Sequence, residues 1–161
     1  MWQPPLDLGE SQRRIKMGTP YSDIFNRFLS KILEDEWEDW AEEDIERDLS
    51  QILESAIPWF KFPRNSLDRN EDGFINTLTD REQEILASYM KVEWLNRSIM
   101  TWQNIKPLYD ERDFSQANML SKLTTALENE KKKAHFLESN YYRSINNKPY
   151  DYSKLAGSKN G

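Results

Sequence analysis

Apolar residues in this chain gather into four helical stretches separated by polar punctuation. Tyr21, Ile24, Phe25, Phe28, Leu29, Ile32 and Leu33 recur at i, i+3, i+4 and i+7, which puts them on one face of a first helix. Thr19-Pro20 or Ser22 can cap its start, because proline fits the first turn and a hydroxyl accepts an orphan N–H. Ile45, Leu49, Ile52, Leu53, Ala56 and Ile57 form the face of a second helix, which Pro58 stops because proline donates no hydrogen bond. Thr79-Asp80-Arg81-Glu82 reads as a capping box opening a third helix that runs toward Ile105 and ends near Pro107. Its apolar residues, Ile85, Leu86, Tyr89, Met90, Val92, Trp94, Leu95, Ile99, Met100 and Trp102, cover more than one stripe, which places it at the centre of its bundle. A fourth helix begins near Asp113 or Ser115 and continues to about Tyr142, with Met119, Leu120, Leu123, Leu127, Ala134, Leu137 and Tyr141 approximating a heptad seam against the third.

The period changes between Trp59 and Leu78. Trp59, Phe60 and Phe62 on one side, and Phe74, Ile75 and Leu78 on the other, flank the turn Asp68-Arg69-Asn70-Glu71-Asp72-Gly73, a pattern that predicts a β-hairpin at about 59–78. Two strands alone are marginal in water, so the ribbon must lean on the helices or pair with a neighbouring chain. The expected fold is mainly α: a bundle of about four helices over 19–142 with one hairpin, an N-terminal arm over 1–18 and a C-terminal arm over 143–161.

Charge alters this picture in one place. The net charge is −6, but from Glu34 to Asp48 ten acids face one base, Arg47, so this block holds −9 and the remainder is +3. One reading is a solvated face; the other is a negative wall that keeps a passing polyanion such as DNA from sticking. Beyond Lys131-Lys132-Lys133 no basic stripe is present to grip nucleic-acid phosphates. No apolar run approaches the roughly 20 residues of a bilayer span, and Met1-Trp2-Gln3-Pro4-Pro5 does not resemble a signal peptide. The reading is of an intracellular, soluble product with no membrane partner.

Candidate chemistry is sparse. The chain has no cysteine and one histidine, so thiolate metal sites and metal sites with several histidines are excluded; His135, set among lysines, reads as an exposed spectator rather than a catalytic base, and no Gly-rich phosphate loop is present. The expectation is a non-enzyme without a cofactor. Asp68, Asn70 and Asp72 with Gly73 and Ile75 match the first positions of a calcium loop, but the twelfth position is Thr79 rather than a bidentate glutamate. They stand as weak cation candidates beside the plain reading of a turn. Asn96-Arg97-Ser98 is a formal glycosylation sequon in mid-helix and is set aside.

Three stretches together resemble the neck, or head–tail connector, proteins of tailed bacteriophages. They are Phe60 to Phe62 after the helix end Ala56-Ile57-Pro58, the run from Leu78 to Met90 followed by Trp94-Leu95, and Asp113-Phe114-Ser115-Gln116-Ala117-Asn118 opening the last helix. The resemblance covers about 21–142 and leaves out the turn at 68–73 and the acidic block. It implies a ring of twelve copies under the portal vertex, joining capsid to tail in the virion neck after assembly in the host cytoplasm. The implied partners are the portal protein, other tail-completion proteins and further copies of the chain, with DNA passing through unbound. On that basis Tyr150, Tyr152 and Leu155 are expected to anchor the C-terminal arm on the portal. Glu36, Glu38, Glu42 and Glu43 are expected to face the channel or a contact between subunits. The alternative is a cellular helical adaptor that binds one protein partner, with calcium as a modulator.

Overall fold

The computed structural model describes residues 18–32, 37–105, 114–145 and 148–149. Strand β1 (Thr19–Pro20) leads into helix α1 (Tyr21–Leu29), followed by α2 (Glu42–Ala56) and a 3-10 turn (Ile57–Trp59). Strand β2 (Gly73–Phe74) precedes the long helices α3 (Asp80–Ile105) and α4 (Phe114–Tyr142), and the short strands β3 (Ser144–Ile145) and β4 (Lys148–Pro149) close the described chain. The architecture is mainly α, a four-helix arrangement with short antiparallel strand pairs.

Helix α3 is the axis of the bundle, packing against α1, α2 and α4. Its 26 residues make a rod of about 39 Å at a rise of about 1.5 Å per residue. Ile85, Leu86, Ala87, Tyr89 and Met90 are buried on several of its sides, meeting Ile24 and Phe28 of α1, Leu49, Ile52 and Leu53 of α2, and Ala134 and Tyr141 of α4. A second, smaller cluster of Val92, Leu95 and Leu127 continues the α3–α4 seam. That seam is not purely apolar: Glu130 and Glu138 of α4 are also buried, Glu130 facing Lys91 at 3.2 Å. Met119, which the heptad spacing assigned to the seam, is exposed.

Helix α2 begins with Glu42, Glu43 and Asp44 in its first turn, where carboxylates are favoured by the positive end of the helix dipole. Asp48, one turn further, lies on the buried face. It takes a bidentate pair of hydrogen bonds from Arg97 of α3, at 2.6 and 3.0 Å, and one from Trp37 Nε1 at 2.9 Å. Burial alone would raise the Asp48 carboxyl, but the bonds from Arg97 and Trp37 outweigh it and hold the group below its ordinary value.

The hairpin expected between Trp59 and Leu78 is shorter than that span. Trp59 ends the 3-10 turn, and residues 60–63 run on without a strand partner. The reversal is confined to 68–75, where Arg69 bridges Phe74 and the Ile75 N–H donates to Asp68 O at 2.8 Å. Its outer edge is covered from within the chain: Thr19 pairs with Phe74 and Pro20 with Gly73. The turn is also held by Tyr21, whose hydroxyl donates to Asn70 O at 2.7 Å, and by Arg69, which reaches Glu54 of α2 through two bonds.

Thr19 therefore does not cap α1. Pro20 occupies the N-cap with no side-chain bond, and Thr19 Oγ1 instead accepts the Leu78 N–H at 2.8 Å. The crossing of β1 over β2 requires two glycines. A Cβ on Gly18, whose φ is +112°, would stand 2.3 Å from Phe74 O, and one on Gly73 would stand 2.3 Å from Thr19 O. Neither backbone can retreat without losing the pairing. Gly18→Ala and Gly73→Ala are each expected to destabilise the fold by about 2 kcal/mol, read as a lowered Tm. An unchanged Tm in both would contradict this account of the crossing.

Candidate functional site

Three of the four most buried polar residues among those described, Glu82, Ser144 and Thr19, gather at the N-terminal end of α3. The capping box forms as the sequence implies: the Thr79 N–H donates to Glu82 Oε2 at 2.8 Å and the Glu82 N–H to Thr79 Oγ1 at 3.3 Å. Glu82, however, is fully buried and does more than cap. Its carboxylate also accepts from the Asn65 N–H at 3.2 Å, from Asn65 Nδ2 at 2.8 Å and from the Tyr141 hydroxyl at 2.7 Å. Burial pushes Glu82 up, yet the donors from Asn65, Tyr141 and Thr79 together hold it below its ordinary value, so it is a carboxylate in the fold. Tyr141 is pushed up to about 12, first by burial and then by donating to Glu82.

Around this carboxylate the segment after the 3-10 turn is strapped to the end of α4. The Arg64 N–H donates to the Tyr141 hydroxyl at 2.7 Å, and its guanidinium lies 4.7 Å from the centre of the Tyr141 ring. The same guanidinium donates to the carbonyls of Tyr141 (2.9 Å), Tyr142 (3.4 Å) and Ser144. These are the orphan acceptors at the negative end of a long helix, the place where a cation is best received. Phe60 meets the Tyr141 ring edge-on at 5.3 Å, and exposed Phe62 meets Tyr142 at 6.3 Å. Ser144 is buried, so the C-terminal segment is rooted in the body at 144 instead of leaving it at 143, and β3 (Ser144–Ile145) pairs antiparallel with β4 (Lys148–Pro149).

The described segments nearest the two chain ends are therefore held at one end of the bundle. The N-terminal root is fixed by Thr19 on Leu78, two residues before α3, and the C-terminal root by Tyr141 on Glu82 and by Arg64 on Ser144. Beside the C-terminal root lies a cleft of about 710 Å³, lined by Arg27, Arg81, Arg143, Asp80 and Glu84 and by apolar Ile85, Leu137 and Tyr141. Arg27 is tied within it to Asp80 at 2.5 Å and to Gln83 at 3.0 Å.

A second polar cluster lies a turn deeper along the α3–α4 seam. Glu138 accepts from the hydroxyls of both Tyr89 and Tyr142. Trp59 stacks on Tyr89 and donates to Glu93 at 2.6 Å. Burial and then Glu138 raise both phenols, Tyr142 to about 12. His135 is exposed, with Nδ1 3.4 Å from the Tyr89 hydroxyl.

The sequence candidates fall out as follows. Glu38, Glu42 and Glu43 are exposed near half-exposed Trp40, while Glu36 lies outside the described residues. In the 68–73 turn the Asn70 side-chain oxygen accepts the N–H groups of Asp72 and Gly73 at 2.9 and 3.1 Å, which is turn chemistry. Among the described residues no three His, Asp or Glu side chains are grouped to hold a metal ion. No helix of the described residues is long and apolar enough to cross a membrane. Tyr150, Tyr152 and Leu155 lie outside the described residues. Sequence reading missed Arg64, Asn65 and Glu138; only the Glu138–Tyr142 spacing of four carried a signal. Comparison with family models, with curated proteins and with solved structures finds no match.

The buried carboxylate gives a signed pH dependence. A group held below its ordinary value of 4.5 contributes stability that is complete above that value and is lost as pH falls through the lower, folded one. Glu82→Gln is expected to cost about 2 kcal/mol at pH 7, measured by urea unfolding, with the gap to the native chain narrowing below pH 4.5. A gap that stays constant with pH would contradict the charged assignment.

Proposed function

We propose that the chain is a structural connector: a head–tail connector of a tailed bacteriophage that forms a ring beneath the portal, joins capsid to tail and continues the DNA channel. The observation that carries this reading is that both terminal segments are rooted, by directed hydrogen bonds, at the same end of a rigid helical rod. A segment that orders on a partner gains most when its root is already fixed, since less freedom is lost on docking. The resemblance over 21–142 supplies the kind of assembly, with the portal, neighbouring copies and other tail-completion proteins as partners. Tyr150, Tyr152 and Leu155 provide aromatic and aliphatic anchors of the type that dominates docking energy.

The acidic surface fits the same role. Glu38, shortly before α2, and Glu42 and Glu43, at its start, are exposed to solvent, where a wall of carboxylates lets DNA slide past without adhering. The placement of Glu42 and Glu43 in the first turn of α2 also stabilises that helix, so these two residues serve the fold and the channel together.

Deleting residues 150–161 keeps the Arg64–Ser144 clamp and is expected to leave a folded body with an unchanged circular dichroism spectrum. That variant should no longer co-sediment with the portal protein of the same virus, whereas the full chain should. Undiminished co-sedimentation of the deletion variant would refute the docking role of the arm.

A further inference from the structure

Helix α4 packs on α3 through one side and carries an exposed ridge on another. Lys122, Lys132, Lys133, Phe136 and Arg143 follow its three- and four-residue spacing, and all are exposed. Thr125, Asn129 and Asn140 fill the intervening positions, so the ridge holds four cations and no acid over about 32 Å. Among the described residues Lys122, Lys132 and Arg143 form no ion pair, and Lys133 only a long one, 3.9 Å from Glu130. A DNA duplex presents one phosphate charge per about 1.7 Å of axis, so four cations spread over this length match it poorly. A better match lies on the chain itself. Asp39, Trp40, Asp44, Arg47 and Gln51 line an open cleft of about 480 Å³ beside the start of α2. Asp44 is answered there by Arg47 at 2.9 Å, whereas Asp39 forms no ion pair among the described residues, and Trp40 is half-exposed. Glu42 stands about 200° around the helix from Asp44, so a partner on the Trp40 side leaves Glu42 uncovered.

We propose that the α4 ridge of one copy seats on the Trp40 cleft of a second copy. Lys132, unpaired in its own copy, brings its ammonium to the Trp40 ring and the Asp39 carboxylate, and Phe136, one turn on, packs against the indole. The occupant is a second copy because the chain holds both halves of the match. Residues 34–48 carry −9 and the remainder +3, yet among the described residues no ion pair joins α2 to α4 within one copy. The two surfaces differ, so the contact is heterologous; repeated from copy to copy, it closes into a ring or runs on as a filament. This deepens the part of the connector reading that calls for neighbouring copies, and rests on that reading only for the closed ring.

Sedimentation velocity of the full chain at low ionic strength, where exposed charges act over about 30 Å, is expected to show concentration-dependent association that added salt removes. Lys132→Glu with Lys133→Glu, and separately Asp39→Lys with Gln51→Lys, should each weaken it by roughly tenfold or more. Mixing the two variants should restore association, because each then meets a complementary surface on the other. Phe136→Ser, at an exposed position and with every charge in place, should weaken it as well. A monomer at every concentration, substitutions without effect, or a mixture no more associated than its components would each overturn the proposal. So would duplex DNA that is retarded by the native chain and not by K132E/K133E, which would assign the ridge to nucleic acid. No portal is present, so failure here and failure of the arm to co-sediment are separate results.

Discussion

A single buried carboxylate organises the end of the molecule where the first and last described segments are held. Placing an ionised glutamate out of reach of water costs several kcal/mol unless its lone pairs are met by donors. At Glu82 the donors come from three separate stretches: Thr79 at the start of α3, Asn65 in the segment after α2, and Tyr141 near the end of α4. None can withdraw without leaving charge unsatisfied, so the three stretches are fixed relative to one another more tightly than apolar packing alone would hold them. Arg64 then extends the constraint to the carbonyls of Tyr141, Tyr142 and Ser144, and so to the root of the C-terminal segment.

Where the chain obeys simple periodicity, its structure is plain from its residues. The start of α3 at Asp80 follows from Thr79 and Glu82, the end of α2 from Pro58, and the central place of α3 from apolar residues on more than one side. Legibility fails where a polar residue holds a core position. Glu130 and Glu138 occupy the α3–α4 seam because Lys91, Tyr89 and Tyr142 are there to meet them, and those partners are set by the fold, not by spacing. Asp48 is the same case, hidden inside a run of acids that reads as solvated. Thr19 beside Pro20 looks like a helix cap, yet its hydroxyl is taken by Leu78, 59 residues away. Of the two glycines where β1 meets β2, Gly18 has no local signature and Gly73 reads only as a turn glycine, since the need for both arises from two backbones that meet only in three dimensions.

The candidate site divides along the same line. The acidic face and the turn at 68–73 could be named from the sequence, and the structure gives each a local role, at the start of α2 and in a closed Asn70 turn. The end proposed to dock could not be named. It is a property of where Arg64, Glu82 and Tyr141 meet, and of the cleft that opens beside them. For a protein proposed to join other proteins, this is the economical arrangement. In that reading a stiff α3 carries the load, and the segments proposed to contact partners begin at one well-anchored end.

Hydrogen exchange on Glu82→Gln, followed residue by residue under native conditions, tests that anchoring most directly. The account predicts faster exchange at Arg64, Asn65 and the amides of 141–144, with the Val92–Leu127 stretch of the seam unchanged. Uniform acceleration through all four helices, or unaltered protection at Arg64 and the end of α4, would contradict the claim that this carboxylate fixes the roots of the chain.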